Sequence, residues 1–196
     1  MKDAMQPLFA AAGLIFVAAS TPGPNNFIVM RAAAAQGLMR TLPLIGGIVV
    51  GSLLMLLFAS TGMGIVVAES PALGAAFALV SAAYLVFLGL SIALQRSPDR
   101  GHDHTPACTQ IQTPLGLLLF QLANPKTWLM IVTAVGSGAA LAHLVIAMGA
   151  ITTLCLLVWS WFGSLLQVHL QRPQFARWFN FAAGGCLAGS AFMVLV

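Results

Sequence analysis

The stretch Thr21-Pro22-Gly23-Pro24-Asn25-Asn26 interrupts a hydrophobic segment that extends from about Phe9 to Met30. Two prolines around a glycine cannot continue a regular helix, because each proline lacks a backbone N–H and clashes with the carbonyl one turn earlier. In lipid, each backbone group freed in this way is costly unless protein or trapped water satisfies it. The sequence therefore predicts a membrane-spanning helix that breaks here, with the break facing a protein-lined or wet interior.

The composition supports a membrane location for the whole chain. Of its 196 residues, 60% are hydrophobic and only 6% are charged, whereas soluble globular domains carry about 25% charged residues. This leaves no room for a separate soluble domain. The net charge of +4 indicates which loops face the cytoplasm rather than a nucleic-acid partner.

Six apolar runs predict an all-α membrane protein with six transmembrane helices. The runs lie at about 8–30, 42–66, 72–94, 114–135, 139–168 and 175–196. Spans one and four contain proline motifs, the second being Asn124-Pro125-Lys126. Residues 96–112 form the hydrophilic loop between spans three and four. A single transmembrane domain, 1–196, follows from this pattern.

Arginines predict the orientation of the chain. They fall in the loops that follow spans one, three and five: Arg31, Arg40, Arg96, Arg100, Arg172 and Arg177. The positive-inside rule places these loops in the cytoplasm and both termini outside, in the periplasm. A five-span form with its N-terminus inside is the alternative. The first apolar run loosely resembles a signal peptide, but it resumes after the break, which favours an uncleaved span.

An internal repeat relates the two halves. An offset of 101–102 residues brings Pro71 onto Pro173 and Pro24 onto Pro125 or Lys126, so the two breaks fall in matching positions. Three spans per half give the halves opposite orientations, which is the inverted-repeat plan of many secondary transporters. Repeat one covers about 1–95, the cytoplasmic loop about 96–112, and repeat two about 113–196.

Lys126 is the charged residue that falls near the middle of a span. A lysine there costs about 2.5–3.5 kcal/mol on insertion scales, so a cation facing the interior at a helix break is the favoured interpretation. It would neutralise a substrate carboxylate or release a proton during transport. The alternative is a side chain that extends to the membrane surface.

Amides surround the two breaks and suit a zwitterionic substrate, although capping of the helix fragments is the simpler role. The lone tyrosine, Tyr84, lies in span three and needs a hydrogen-bond partner there. The candidate substrate-binding residues are Pro22, Gly23, Pro24, Asn25, Asn26, Tyr84, Gln121, Asn124, Pro125 and Lys126.

The sequence offers no catalytic, metal or cofactor signature. There is no nucleophile with a base and no nucleotide fingerprint, which argues against an enzyme and against a bound cofactor. Cys108, Cys155 and Cys186 lack metal-type spacing, and His102 and His104 are weak evidence for a metal. Two glycine pairs, Gly47-xxx-Gly51 and Gly185-xxx-Gly189, predict close helix packing.

Several motifs of this chain resemble those of the LysE/RhtB-type amino-acid exporters. The resemblance rests on Thr21-Pro22-Gly23-Pro24-Asn25, on Gln36-Gly37 before the glycine-rich second span, on Ala83-Tyr84-Leu85 through Leu88-Gly89, and on Asn124-Pro125-Lys126. It extends over nearly the whole chain in the same order. Thr127-Trp128 departs from the family pattern, which often has small residues there.

The resemblance implies a multi-pass exporter of the bacterial inner membrane that moves amino acids or related metabolites outward, with the proton as coupling ion. The doubled Asn25-Asn26 looks most like the cysteine/O-acetylserine and neutral amino-acid exporters. The lysine-exporting branch of the family carries an acidic residue in the membrane, which this chain lacks. Nothing would therefore pair with a cationic substrate side chain, which favours small neutral substrates. Lipid and a homo-oligomeric partner are compatible with this interpretation, and nucleic acid is not. The alternatives are an exporter of a metal cation or another solute, and a membrane thiol-redox carrier.

Overall fold

The computed structural model describes residues 2–62, 70–94, 114–169 and 172–195, and these are helical with no strand among them. The eight helices are α1 (Lys2–Ser20), α2 (Pro24–Gln36), α3 (Leu38–Ser60), α4 (Pro71–Ala93), α5 (Pro114–Leu122), α6 (Pro125–Gly136), α7 (Leu141–Leu166) and α8 (Pro173–Leu195). The prediction of an all-α protein is therefore confirmed. The loop 96–112, with His102, His104 and Cys108, lies outside the described residues.

Proline marks where five of these helices begin. The first N–H groups of a helix have no partner inside that helix, so a residue without an N–H is tolerated there, and its fixed φ already suits the helix. Pro24 and Pro125 thus have the same local role. Each ends one apolar helix and begins the next one in the same hydrophobic run.

Two helices, α3 and α7, are long and apolar enough to cross a membrane. Two bent pairs meet the same criterion when each pair is taken together: Gln6–Ser20 with Pro24–Gln36, bent by 49°, and Gly116–Leu122 with Pro125–Gly136, bent by 66°. The described residues thus contain two to four candidate spans. Both predicted helix breaks are present, whereas the six-span count stays a prediction.

The buried core divides into two clusters, and the breaks lie between them. One cluster contains residues of α2, α4, α5 and α8, and the other contains residues of α1 and α6. The first half of α3 belongs to the first cluster and its second half to the second cluster. In α7 the first half belongs to the second cluster and the second half to the first. The two broken helix pairs therefore run in opposite directions, with their polar breaks at the same level.

Glycines allow close contact between the backbones of α4 and α8. A Cβ added at Gly89 would lie 2.5 Å from the carbonyl oxygen of Gly184 and 2.8 Å from the backbone nitrogen of Ala188. By contrast, a Cβ at Gly185 or Gly189 would meet nothing within 4 Å. The packing role predicted for Gly185 and Gly189 is therefore wrong, because the helix turns their neighbour Gly184 toward α4.

Candidate functional site

The first break separates α1 from α2 over three residues, with Gly23 in an extended conformation (φ −171°, ψ 178°). The buried amide of Asn26 reaches back and donates to the carbonyl oxygens of Ala19 at 3.0 Å and Thr21 at 2.6 Å. These bonds satisfy carbonyls at the open end of α1. The N-terminus of α2 receives no such help, since no side chain caps it.

The second break is capped from within. The Asn124 side-chain oxygen accepts from the backbone N–H of Lys126 at 3.1 Å, which is a regular N-cap for α6. At the other side of the break, the indole N–H of Trp128 donates to the Leu122 carbonyl at 2.8 Å, at the end of α5. Trp128, a departure from the family pattern, thus stabilises this break locally.

The two breaks contact each other through polar groups. The Asn124 side-chain amide donates to the side-chain oxygen of Asn25 at 3.0 Å. The Lys126 ammonium donates to the carbonyl oxygens of Thr21 and Pro22, the latter at 3.4 Å. A cation of the second half therefore binds the negative end of α1 in the first half, where a helix dipole favours positive charge.

A small cavity lies where the breaks meet. Its volume is about 20 Å³, close to the room that one water molecule needs. Eleven residues line it: Ala18, Ala19, Gly23, Asn25, Asn26, Asn124, Lys126, Thr127, Met130, Thr152 and Leu156. The single charged side chain among these eleven is that of Lys126, and no carboxylate is present to balance it.

Half of the predicted substrate-binding residues line this cavity, namely Gly23, Asn25, Asn26, Asn124 and Lys126. Pro22, Pro24 and Pro125 lie beside it and shape the backbone, and the Pro22 carbonyl also accepts from Lys126. These prolines position the lining residues.

Tyr84 and Gln121 do not line the cavity. The Tyr84 hydroxyl donates to the Gly116 carbonyl at 3.4 Å, which joins α4 to α5. The Gln121 amide is fully buried and donates to the Ile48 carbonyl at 2.8 Å and to the Ser52 hydroxyl. Both side chains have partners that join helices, and we leave them out of the proposed site.

Sequence reasoning missed the wall that α7 and the first turns of α6 provide. Thr152 and Leu156 come from α7, while Thr127 and Met130 come from α6. A threonine in the middle of an apolar span was the available signal for Thr152, but no break or motif marks α7. The predictions followed the prolines, and α7 has none.

Gly23 provides a test of how Lys126 is held. Because the backbone at Gly23 is extended, alanine is tolerated there conformationally, but its Cβ would lie 2.8 Å from Cδ and 3.0 Å from Nζ of Lys126. The flexible side chain can move away, so we expect Gly23→Ala to fold while the ammonium leaves the carbonyls of Thr21 and Pro22. Solute efflux, the activity that the family resemblance implies, should fall severalfold in this variant without loss of protein from the membrane.

The matched control is Gly46→Ala, since a Cβ at Gly46 would meet nothing within 4 Å. Efflux and membrane abundance would be measured for both variants in parallel. Equal efflux from the two variants would contradict the importance of the Lys126 position.

The geometry defines a class of protein: a helical membrane protein in which two broken helices present opposite helix ends and one cation to a shared interior cavity. Comparison with known proteins agrees, because the family "LysE type translocator" matches residues 15–196. The chain belongs to this family of translocators, and it is a multi-pass membrane protein.

Two curated relatives illustrate the similarity. A cysteine/O-acetylserine efflux protein of Salmonella typhimurium is 32% identical over 122 residues, which cover 62% of this chain and 60% of the relative. A leucine efflux protein of Klebsiella pneumoniae is 26% identical over 125 residues, covering 62% and 57%. The match thus spans less than two thirds of these relatives. No solved structure matches the chain significantly.

Proposed function

We propose that this protein exports small neutral amino acids or related metabolites from the cytoplasm by alternating access. The observation that carries the proposal is the Lys126 ammonium, which binds the carbonyls of Thr21 and Pro22 at the edge of a cavity shared by both breaks. An amino-acid zwitterion carries the two charges that this arrangement complements. The names of the relatives, which are efflux proteins for cysteine/O-acetylserine and for leucine, support the same substrate class.

The carboxylate end of the substrate would bind between Lys126 and the N-terminus of α2. That helix end is uncapped by side chains, and helix N-termini favour negative charge through their free N–H groups and dipole. The N-terminus of α6 is less available, because Asn124 already caps it. The side chains of Asn25 and Asn124 border the same region.

The ammonium end of the substrate would replace Lys126 at the end of α1. When Lys126 turns toward the substrate carboxylate, the carbonyls of Thr21 and Pro22 lose their cationic donor, and the substrate ammonium can take that place. Each charged group of the substrate then has a complementary partner without any acidic side chain: the carboxylate contacts Lys126, and the ammonium contacts the carbonyls of Thr21 and Pro22. A substrate with an additional positive charge would find no carboxylate among the lining residues, which favours neutral amino acids.

Binding requires the walls of the cavity to separate, since the cavity has room for about one water molecule. In the proposed mechanism, the two halves rock about the breaks and open the site to one side of the membrane at a time. The contacts between the breaks would close the site after the substrate leaves.

We further propose that six spans form two inverted three-helix repeats within a single domain. Helix packing supports this: α1 and α2 contact α7, and their counterparts α5 and α6 contact α3. Two further contacts, α3 with α7 and α4 with α8, each join a helix to its own counterpart. The arginine-rich loops would face the cytoplasm and the termini the periplasm of a bacterial inner membrane.

The coupling ion in this proposal is the proton. Lys126 is the ionisable group of the cavity that touches both halves, so loss and recovery of its proton would accompany outward and return movement. An imposed pH gradient should then drive substrate across the membrane of reconstituted vesicles, and an uncoupler should abolish this movement.

A direct efflux experiment tests the export function. Cells that overproduce the protein are loaded with dipeptides, and the amino acids released by intracellular hydrolysis are followed in the medium. Faster release of neutral amino acids than from cells carrying an empty vector is expected. If cells with the protein release none of a panel of neutral amino acids faster than the empty-vector cells do, the proposal is refuted.

A further inference from the structure

The hydroxyl of Thr152 has no hydrogen-bond partner within the described part of the chain, although the residue is only 4% exposed and lines the cavity. Its neighbour Thr153 behaves in the ordinary way, donating to the Gly149 carbonyl at 2.6 Å along the same helix. A buried hydroxyl without a partner is unfavourable, because it has lost its hydrogen bonds to water. Helix α7 therefore keeps an unsatisfied polar group at the cavity wall.

The residues that line the cavity indicate which part of a substrate would lie near this hydroxyl. The break residues provide the cation, the amides and the helix ends that complement the charged groups common to all amino acids. The wall formed by α7 and the first turns of α6 consists of Thr152, Leu156, Thr127 and Met130. An amino acid held by its charged ends at the breaks would direct its side chain toward this wall, which is apolar except for hydroxyl groups.

We infer that Thr152 is a specificity-determining residue of this site, whose hydroxyl binds a hydrogen-bonding group on the side chain of the exported amino acid. The inference rests on the proposed export function and extends it to a substrate class: short amino acids with a hydroxyl, thiol or ester oxygen. Substrates of similar size without such a group leave Thr152 unsatisfied, so they bind more weakly.

The test compares substrates that differ by one hydroxyl in reconstituted vesicles: L-serine against L-alanine, and L-threonine against L-valine. Wild-type protein should prefer the hydroxyl-bearing member of each pair. Thr152→Val, which keeps the shape and removes the hydroxyl, should reduce this preference about tenfold, as expected for loss of one hydrogen bond of about 1.4 kcal/mol. Thr152→Ser should retain it, and Thr153→Val is the matched control.

The unfolding temperature provides a second readout, because loss of a structural hydroxyl would lower it. Because Thr152→Val removes a buried unsatisfied group, the purified variant should unfold at the same temperature as wild type or a higher one. A lower unfolding temperature would indicate a structural hydroxyl and overturn the inference.

The transport outcomes separate this inference from the export function. Wild-type vesicles that transport none of the four amino acids would overturn the export function and, with it, the role of Thr152. A transporting wild type whose Thr152→Val variant is unchanged, or slowed equally for all four, would overturn the role of Thr152 alone. Equal slowing would mean that the hydroxyl binds a group common to all amino acids.

Discussion

Replacing Lys126 by methionine is expected to lower amino-acid efflux about 10- to 100-fold, because a hydrogen bond to a charged group contributes about 1.5–3 kcal/mol and each 1.4 kcal/mol is tenfold. Methionine keeps much of the length of the side chain and removes its charge and donors. The variant should still fold, since Asn26 continues to satisfy the Thr21 carbonyl. Initial efflux rates over a range of internal substrate concentrations would measure the effect.

Two further variants distinguish the effect of a positive charge in the cavity from that of a positive charge elsewhere on the protein. Lys126→Arg keeps the positive charge and should retain more efflux than Lys126→Met, although the guanidinium is larger than the ammonium, which already lies close to Gly23. Arg40→Gln removes a positive charge from an exposed position on α3 and should transport like wild type. Wild-type efflux from Lys126→Met would refute the proposed site.

A large loss of stability is expected for Gly184→Ala. Its Cβ would collide with the carbonyl oxygen of Gly89 and lie 2.8 Å from the backbone nitrogen of Ala93, so the backbones of α4 and α8 must move apart. Overpacking of this kind costs about 1–3 kcal/mol or more. We expect a lower unfolding temperature in detergent and less protein in the membrane.

The adjacent residue gives the matched control. Gly185 is exposed and a Cβ there would meet nothing within 4 Å, so Gly185→Ala should be neutral or stabilising by up to about 1 kcal/mol through helix propensity. The same chemical change at neighbouring positions should therefore have opposite outcomes. Similar unfolding temperatures for the two variants would contradict the close contact between α4 and α8.

The sequence predicted those features that depend on local backbone chemistry. Pro22, Pro24 and Pro125 cannot continue a helix, and both breaks were predicted at the residues where the structure has them. The amides and Lys126 beside the breaks were predicted as candidate site residues for the same reason. In lipid, a break needs polar partners, and the nearest polar residues in the chain supply them.

Features that depend on helix rotation could not be predicted. In the pair Thr152 and Thr153, one hydroxyl faces the cavity and the other bonds to its own helix, and in the pair Gly184 and Gly185, one glycine contacts α4. Adjacent residues differ by about 100° around a helix axis, and an almost uniformly apolar sequence does not show which side faces the interior. Tertiary packing decides that rotation.

The hydrogen bond between Asn25 and Asn124 joins residues that are 99 positions apart, which has a consequence for synthesis of the protein. The first half enters the membrane before the second has been translated. Until Asn124 and Lys126 emerge, the Asn25 side chain and the Pro22 carbonyl lack the partners they have in the finished protein, and the Thr21 carbonyl has Asn26 but not Lys126. A nascent chain that stalls before residue 124 is thus a natural target for membrane quality control, and completion of the second break protects the first.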